Sequence, residues 1–378
     1  MKISLWGSVV NLSMTPETFP SEDYRKEQDK LLFNPTHGYF DTSNGKLHYL
    51  KYLPKGKPKA LFVWQHGIHS HTGQGYKLSD DDYTNMALLS RMLVKHDIAL
   101  YAVDLLGHGY SEGDRFYIPN GDWTINRDNL DSFAKFSASQ HESKIPIFLG
   151  GESYGANICL HVTRKWQDDP SNSPPGFYGL SILSPAIDGD FPPAFIVFIL
   201  DKILKPFFPT WTPFFMPNPV SADRIWKNED VRSHYMSVKQ RGLGAPGRKF
   251  WYEDLIRFEN YLIFYHSCLL SYQISYSINS LGTASGLLSA MTVVKEKIIP
   301  GLKVPFCVAH GTHDIAVPIS GTDYLLKHST TPENERAVRK VENAYHDLMS
   351  EVTKEETLQF VIDWITDRIE KNPFFSKT

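Results

Sequence analysis

The chain has 378 residues, 42% of them hydrophobic and 13% aromatic, with a formal net charge of −3. That is ample apolar material for a buried core and more chain than one compact core usually holds, so a domain with a large insertion, or two domains, is expected. The slight negative balance, without a basic stripe, argues against nucleic acid as a partner, and the cysteines Cys159, Cys268 and Cys307 supply neither a disulfide framework nor a zinc-ligand pair.

The amino terminus carries one positive charge and a short apolar run that Asn11, Ser13 and Pro16 soon break, which makes a poor signal peptide. Residues 1–39 are expected to be a partly ordered tail. No apolar run reaches the length of a membrane span, and a cytoplasmic location is expected. The chain stays polar and turn-rich to about residue 45. Alternation over 46–52 then predicts an antiparallel edge strand, and 59–65 a more buried one. The second strand ends in His66-Gly67-Ile68-His69-Ser70-His71. A histidine-glycine turn after a central strand is the kind of loop that donates one amide of an oxyanion hole, and Ile68 N–H is the candidate. His66, His69 and His71 raise the alternative of a metal site. A hydrolytic zinc would need further ligands, and neither H-E-x-x-H nor a cysteine cluster is present, so no metal is expected.

A helix over 83–95 and a strand over 98–103 lead to the glycine turn Asp104-Leu105-Leu106-Gly107-His108-Gly109, where His108 reads as structural. A helix over 124–139 precedes the segment on which the rest depends. Residues 145–149 read as a short buried strand and 154–166 as a helix; between them stands Gly151-Glu152-Ser153-Tyr154-Gly155. A serine on a sharp strand-to-helix turn has strained backbone angles, and glycines on either side let the chain pass closely enough for its hydroxyl to project. Ser153 is the candidate nucleophile and Tyr154 N–H the second oxyanion donor.

A serine needs a base, and the base a carboxylate to orient it, in the order serine, acid, histidine along the chain. After a strand at 178–184 the strand-helix alternation stops, and residues 186–292 read as a helical cap. Phe195 and Phe198 lie there in an interrupted apolar stretch, expected to line an acyl channel and, on another face, to rest peripherally on a membrane. The basic, glycine-rich stretch 239–249 reads as a mobile surface loop. The core resumes with a strand at 304–310 that runs into Asp314, the candidate acid. A last strand at 337–341 leads to His346, the candidate base, and a helix at 354–369 closes the chain. His310 and His313, beside Asp314, are expected to shape its loop. The alternation of short buried strands and helices predicts an α/β fold, a mostly parallel sheet covered on both faces, with a core of residues 40–185 and 293–378.

With His66-Gly67, residues 104–111, Gly151-Glu152-Ser153-Tyr154-Gly155, residues 310–314 and Tyr345-His346-Asp347-Leu348 in view, the chain resembles an α/β-hydrolase of the monoglyceride lipase type. That branch also holds lysophospholipases and caffeoylshikimate esterase. The resemblance covers about residues 40–370. It implies a Ser153, Asp314, His346 triad, an oxyanion hole of the Ile68 and Tyr154 amides, a cap forming an acyl tunnel, a small acyl-ester substrate and no cofactor. After the histidine-glycine turn this chain has Ile68, Ser70 and Gln74 in a longer loop, where monoglyceride lipases usually have a small residue and, nearby, an acid and an arginine that hold the glycerol head. Hydrolysis of a monoacyl lipid ester is the expected activity; a small-ester esterase, an acyltransferase and a non-catalytic receptor on the same fold stay open.

Overall fold

The computed structural model describes residues 22–141, 145–211, 220–237 and 280–371. Ten strands are described: β1 Thr36–Thr42, β2 Gly45–Tyr52, β3 Ala60–Gln65, the short β4 Lys77–Ser79 and β5 Asp82–Tyr83, β6 Ile98–Val103, β7 Ile147–Glu152, β8 Phe177–Leu183, β9 Phe306–Gly311 and β10 Arg336–Val341. Eight of them form one sheet in the order β1-β2-β6-β3-β7-β8-β9-β10. β1 and β2 pair antiparallel, as do β2 and β6, and every later neighbour is parallel.

The period of two in each strand sorts side chains to the two faces. Leu61 and Val63 of β3 join Leu149, Val308 and the helices α3 (Thr124–Ser139) and α4 (Ser153–Asp168) in one core layer. Ala60, Phe62 and Trp64 join Phe148, Ala309 and the helices α2 (Asn85–Lys95) and α10 (Lys354–Lys371) in the other. Burial on both faces is why these strands read as continuous apolar runs in the sequence.

The expected edge strand at 46–52 is instead the second strand. The edge is β1, whose side chains are exposed or half-buried, so its composition, THGYFDT, reads as loop. Before it, residues Glu22–Leu31 form α1. Gln28 of this helix donates to the carbonyls of Gly73 and Gly75, at 3.0 and 3.2 Å, and so pins the loop that follows β3.

Between β8 and β9 the described part of the chain is helical. It comprises α5 Ala194–Phe198, a π-helical turn at Ile199–Leu204, α6 Ala222–Ile225, α7 Glu229–Ser237 and α8 Leu281–Val293, with α9 Ser320–His328 following β9. The glycine-rich stretch 239–249, Phe214, Phe215 and Cys268 lie outside the described residues. No helix among the described residues is long and apolar enough to cross a membrane.

Candidate functional site

β7 passes directly into α4 at Ser153, whose φ of +53° lies in the left-handed region. The flanking glycines are steric requirements. A Cβ on Gly155 would lie 2.2 Å from the Gln65 carbonyl oxygen and 2.5 Å from that of His66, and one on Gly151 would lie 2.8 Å from Gln65 O. Any larger residue would push α4 off β3 and destroy the turn. Tyr154 is the second residue of α4, so its N–H has no acceptor within the helix.

The turn after β3 faces this serine. A Cβ on Gly67 would be 3.0 Å from Ser153 Cβ and 3.6 Å from its Oγ. Two buried groups hold the turn and its neighbour Ile68. His66 donates from Nδ1 to Gly67 O at 2.7 Å and accepts the Leu105 N–H at Nε2, 3.0 Å away; burial drives its pKa down to about 4, so the ring stays neutral. Asp104 accepts the Thr72 N–H at 2.7 Å on one oxygen and His48 Nδ1 at 2.6 Å on the other. Burial alone would raise the Asp104 carboxyl, but the hydrogen bond and charge of His48, with His66 and His71 beside it, outweigh this and hold it below the usual carboxylate range. Of the other histidines of this loop, His71 Nδ1 accepts from Gly73 N at 3.0 Å, and His69 is fully buried with neither ring nitrogen hydrogen-bonded. Among the described residues no three His, Cys, Asp or Glu side chains are placed to hold a metal ion. Ser70 donates to Gln74 Oε1 at 2.6 Å, a neutral buried pair. His108 is buried with Nδ1 donating to Leu106 O at 3.0 Å.

Parallel pairing of β9 with β10 brings their following loops together, and His313 N–H donates to Ala344 O at 3.0 Å between them. Asp314 and His346 meet there. His346 Nδ1 lies 2.6 Å from Asp314 Oδ2. The other carboxylate oxygen accepts the Ala316 and Val317 amides at 2.9 and 2.8 Å. His310 Nε2 lies 3.1 Å from Asp314 Oδ2 and 3.0 Å from Val317 O; both are acceptors, so this nitrogen carries the proton and Nδ1 accepts from Thr322 Oγ1 at 2.6 Å. His310 therefore shapes the acid's loop. Burial would raise Asp314, but His346 and His310 hold it below its usual range; burial would lower His346, but Asp314 chiefly raises it above its ordinary value.

The loop after β8 touches both the serine and the histidine segments. Ala186 N–H donates to Ser153 O at 3.1 Å, Asn157 Nδ2 to Ala186 O at 2.7 Å, and Ser184 Oγ to His346 O at 2.8 Å. Ser153, Asp314 and His346, each about 7 to 8% exposed, thus share the C-terminal edge of the sheet, where ligands bind in open α/β sheets.

Two further residues of this edge, Glu152 and Asp347, lie in the sequence motifs, which assign them no role. Glu152, beside the serine, is pushed up to about 8 by burial and by Asp347. Asp347 accepts Trp226 Nε1 at 2.7 Å, Ser350 Oγ at 2.7 Å and Asn85 Nδ2 at 3.2 Å. Their partners are distant in sequence, so spacing alone offers no signal. Phe195 and Phe198 sit on α5 with 67% and 59% of their surface exposed.

Comparison with known proteins agrees with this architecture. Rat monoglyceride lipase is 26% identical over 331 residues, 86% of this chain and 89% of that protein. Caffeoylshikimate esterase of Arabidopsis thaliana is 25% identical over 369 residues, 96% of this chain and 92% of that protein. The chain spans 27% of the length of an uncharacterized abhydrolase domain-containing protein from Dictyostelium discoideum, to which it is 23% identical. The fold matches a soluble variant of monoglyceride lipase from Saccharomyces cerevisiae solved with a substrate analog, with a TM-score of 0.63, 14% identity, and 88% and 96% of the two chains covered. The model of the Hydrolase_4 family, serine aminopeptidase S33, matches residues 56–261, more than half of the sequence, and the chain belongs to this family of α/β-hydrolases.

Proposed function

We propose that this protein is a serine hydrolase of carboxylic esters, acting on monoacyl lipids such as a monoacylglycerol or a lysophospholipid. The reading rests first on the His346 Nδ1 to Asp314 Oδ2 hydrogen bond, on the sheet edge that also carries a left-handed serine facing the Gly67 turn.

Ser153 Oγ attacks the ester carbonyl while neutral His346 takes its proton at Nε2. The Ile68 and Tyr154 amides receive the developing oxyanion. Asp314 fixes the tautomer, because its oxygen at Nδ1 keeps the proton there and leaves the lone pair on Nε2. The imidazolium returns the proton to the leaving alcohol, and water, activated by the same base, releases the acid from the acyl-enzyme. Glu152, with its pKa near 8, is mostly protonated at neutral pH and so sets no second negative charge against the oxyanion.

The lipid substrate is supported by the relatives and by the cap. Phe195, Phe198, Phe207 and Phe208 of the cap are 67%, 59%, 76% and 55% exposed, an aromatic surface suited to seating the protein peripherally on a lipid interface. The test is steady-state hydrolysis of a series of 1-acylglycerols and lysophospholipids from acetyl to long acyl chains. Each acyl methylene buried contributes up to about 0.8 kcal/mol, so kcat/KM should rise roughly fourfold per methylene at most until the channel is full. A preference for acetyl esters would leave only a small-ester esterase.

A further inference from the structure

One short cap segment touches both loops of the catalytic pair. Arg224, at the end of α6, donates from its guanidinium, including Nε at 2.8 Å, to the carbonyl of Ile315, the residue after Asp314. Ile225 O accepts the Asp347 N–H at 3.2 Å, and Trp226 Nε1 donates to Asp347 Oδ2 at 2.7 Å, both at the residue after His346. Lys227 Nζ reaches Asn343 O, earlier in the same loop, at 2.9 Å. Four consecutive residues of the cap thus grip the acid loop once and the histidine loop three times.

We infer that residues 224–227 are a clasp that sets the relative position of Asp314 and His346, so that the seating of the cap governs turnover itself and not only access of substrate. The inference rests on the reading of His346 as base. Asp347 is the point of purchase. Its carboxylate also takes Ser350 Oγ at 2.7 Å, Met349 N at 3.1 Å and Asn85 Nδ2 at 3.2 Å, so donors from α2, the cap and its own loop fix it from three sides. Asn85 in turn holds Tyr235 Oη of α7 at 2.9 Å, and the Tyr235 and Trp226 rings stack at 4.8 Å, both nearly fully buried. Through one peptide bond, a fixed Asp347 fixes the backbone from which the imidazole projects, while Ser184 Oγ holds the His346 carbonyl. When the cap segment leaves, both loops lose their shared tie, and the hydrogen bond between acid and base loses its alignment. Trp226, Asp347 and Arg224 are therefore positioning residues.

The experiment compares wild type with Trp226→Phe, Arg224→Ala and Arg224→Lys, using an acetyl ester too small to depend on the cap, a long-chain ester, and the labelling rate of a small fluorophosphonate. Trp226→Phe keeps an aromatic ring against Tyr235 but loses the indole donor and part of the buried volume. Trp226→Phe and Arg224→Ala should each lower kcat on both esters, and the labelling rate, by about tenfold, in line with one charge-assisted or clamping hydrogen bond, with KM unchanged. Arg224→Lys, which keeps a donor, should recover most of the loss. Effects confined to KM of the long ester, or unchanged kcat and labelling in folded variants, would overturn the clasp. If Trp226→Phe fails to fold, Arg224, whose side chain is 28% exposed, decides alone. A wild type that neither labels nor hydrolyses would instead overturn the reading of the base.

Discussion

Replacing Asp314 by asparagine changes one oxygen to an NH2 group and tests the tautomer argument. The carboxylate accepts from four donors: His346 Nδ1 and His310 Nε2 on one oxygen, the Ala316 and Val317 amides on the other. An asparagine has one acceptor oxygen, so its NH2 must face one of these pairs. The backbone amides are fixed by the turn and cannot reverse, whereas imidazole can change tautomer. The amide oxygen should therefore take the backbone pair, and the NH2 should meet His346 Nδ1, driving the proton to Nε2. On the proposed mechanism Nε2 is then a donor and cannot accept the Ser153 hydroxyl proton. The cost is the wrong tautomer, about 10⁴ in kcat, or about 5 kcal/mol of transition-state stabilisation. Removing the charge that chiefly raises His346 should also move the acid limb of the remaining activity to lower pH. The assay is the pH dependence of short-ester hydrolysis by a variant whose circular dichroism and melting match wild type. Turnover within about tenfold of wild type would refute the assignment of Asp314 as the orienting acid.

Three other outcomes are expected. If neutral His346 is the working base, the acid limb of kcat/KM in wild type should lie above the ordinary histidine value of 6.5, because Asp314 raises it; a limb at or below 6.5 would contradict the proposal. Glu152 is raised from 4.5 to about 8 in the fold, so the folded state keeps a proton that the unfolded chain gives up. Stability from this group is present below about pH 4.5 and is lost as pH rises towards 8; melting curves at pH 5 and pH 9 should show a smaller loss in Glu152→Gln than in wild type, and equal losses would remove the argument. Changing Phe195, Phe198 and Phe207 together to serine should weaken sedimentation with phosphatidylcholine vesicles by tenfold or more, since each inserted ring is worth about 1.5 to 3 kcal/mol when fully buried, and should leave acetyl-ester turnover unchanged. Unchanged partition would mean that this surface does not meet lipid.

β3, β6 and β9 were legible because every residue in them is buried, so each reads as a near-continuous apolar run. α1 and β1 were hidden for the converse reason: they lie at an edge, with polar and half-exposed side chains. Ser153, Asp314 and His346 stood out because each follows a strand at a place where the chain must turn, and parallel strands bring all such turns to one edge. Asp347 carries the same kind of local motif as its neighbour, yet its partners Asn85 and Trp226 come from elements that only folding brings together. Phe195 and Phe198 show the limit of composition: an apolar segment does not say which of its faces is covered, and theirs are exposed.

The central claim is that Ser153 is an activated nucleophile, and covalent labelling tests it most directly. A fluorophosphonate should modify the protein stoichiometrically in the presence of a strong chelator, peptide mapping should place the adduct on Ser153, and Ser153→Ala should show neither adduct nor turnover, a loss of about 10⁴ to 10⁶. An adduct on another residue, or full activity in folded Ser153→Ala, would contradict the account.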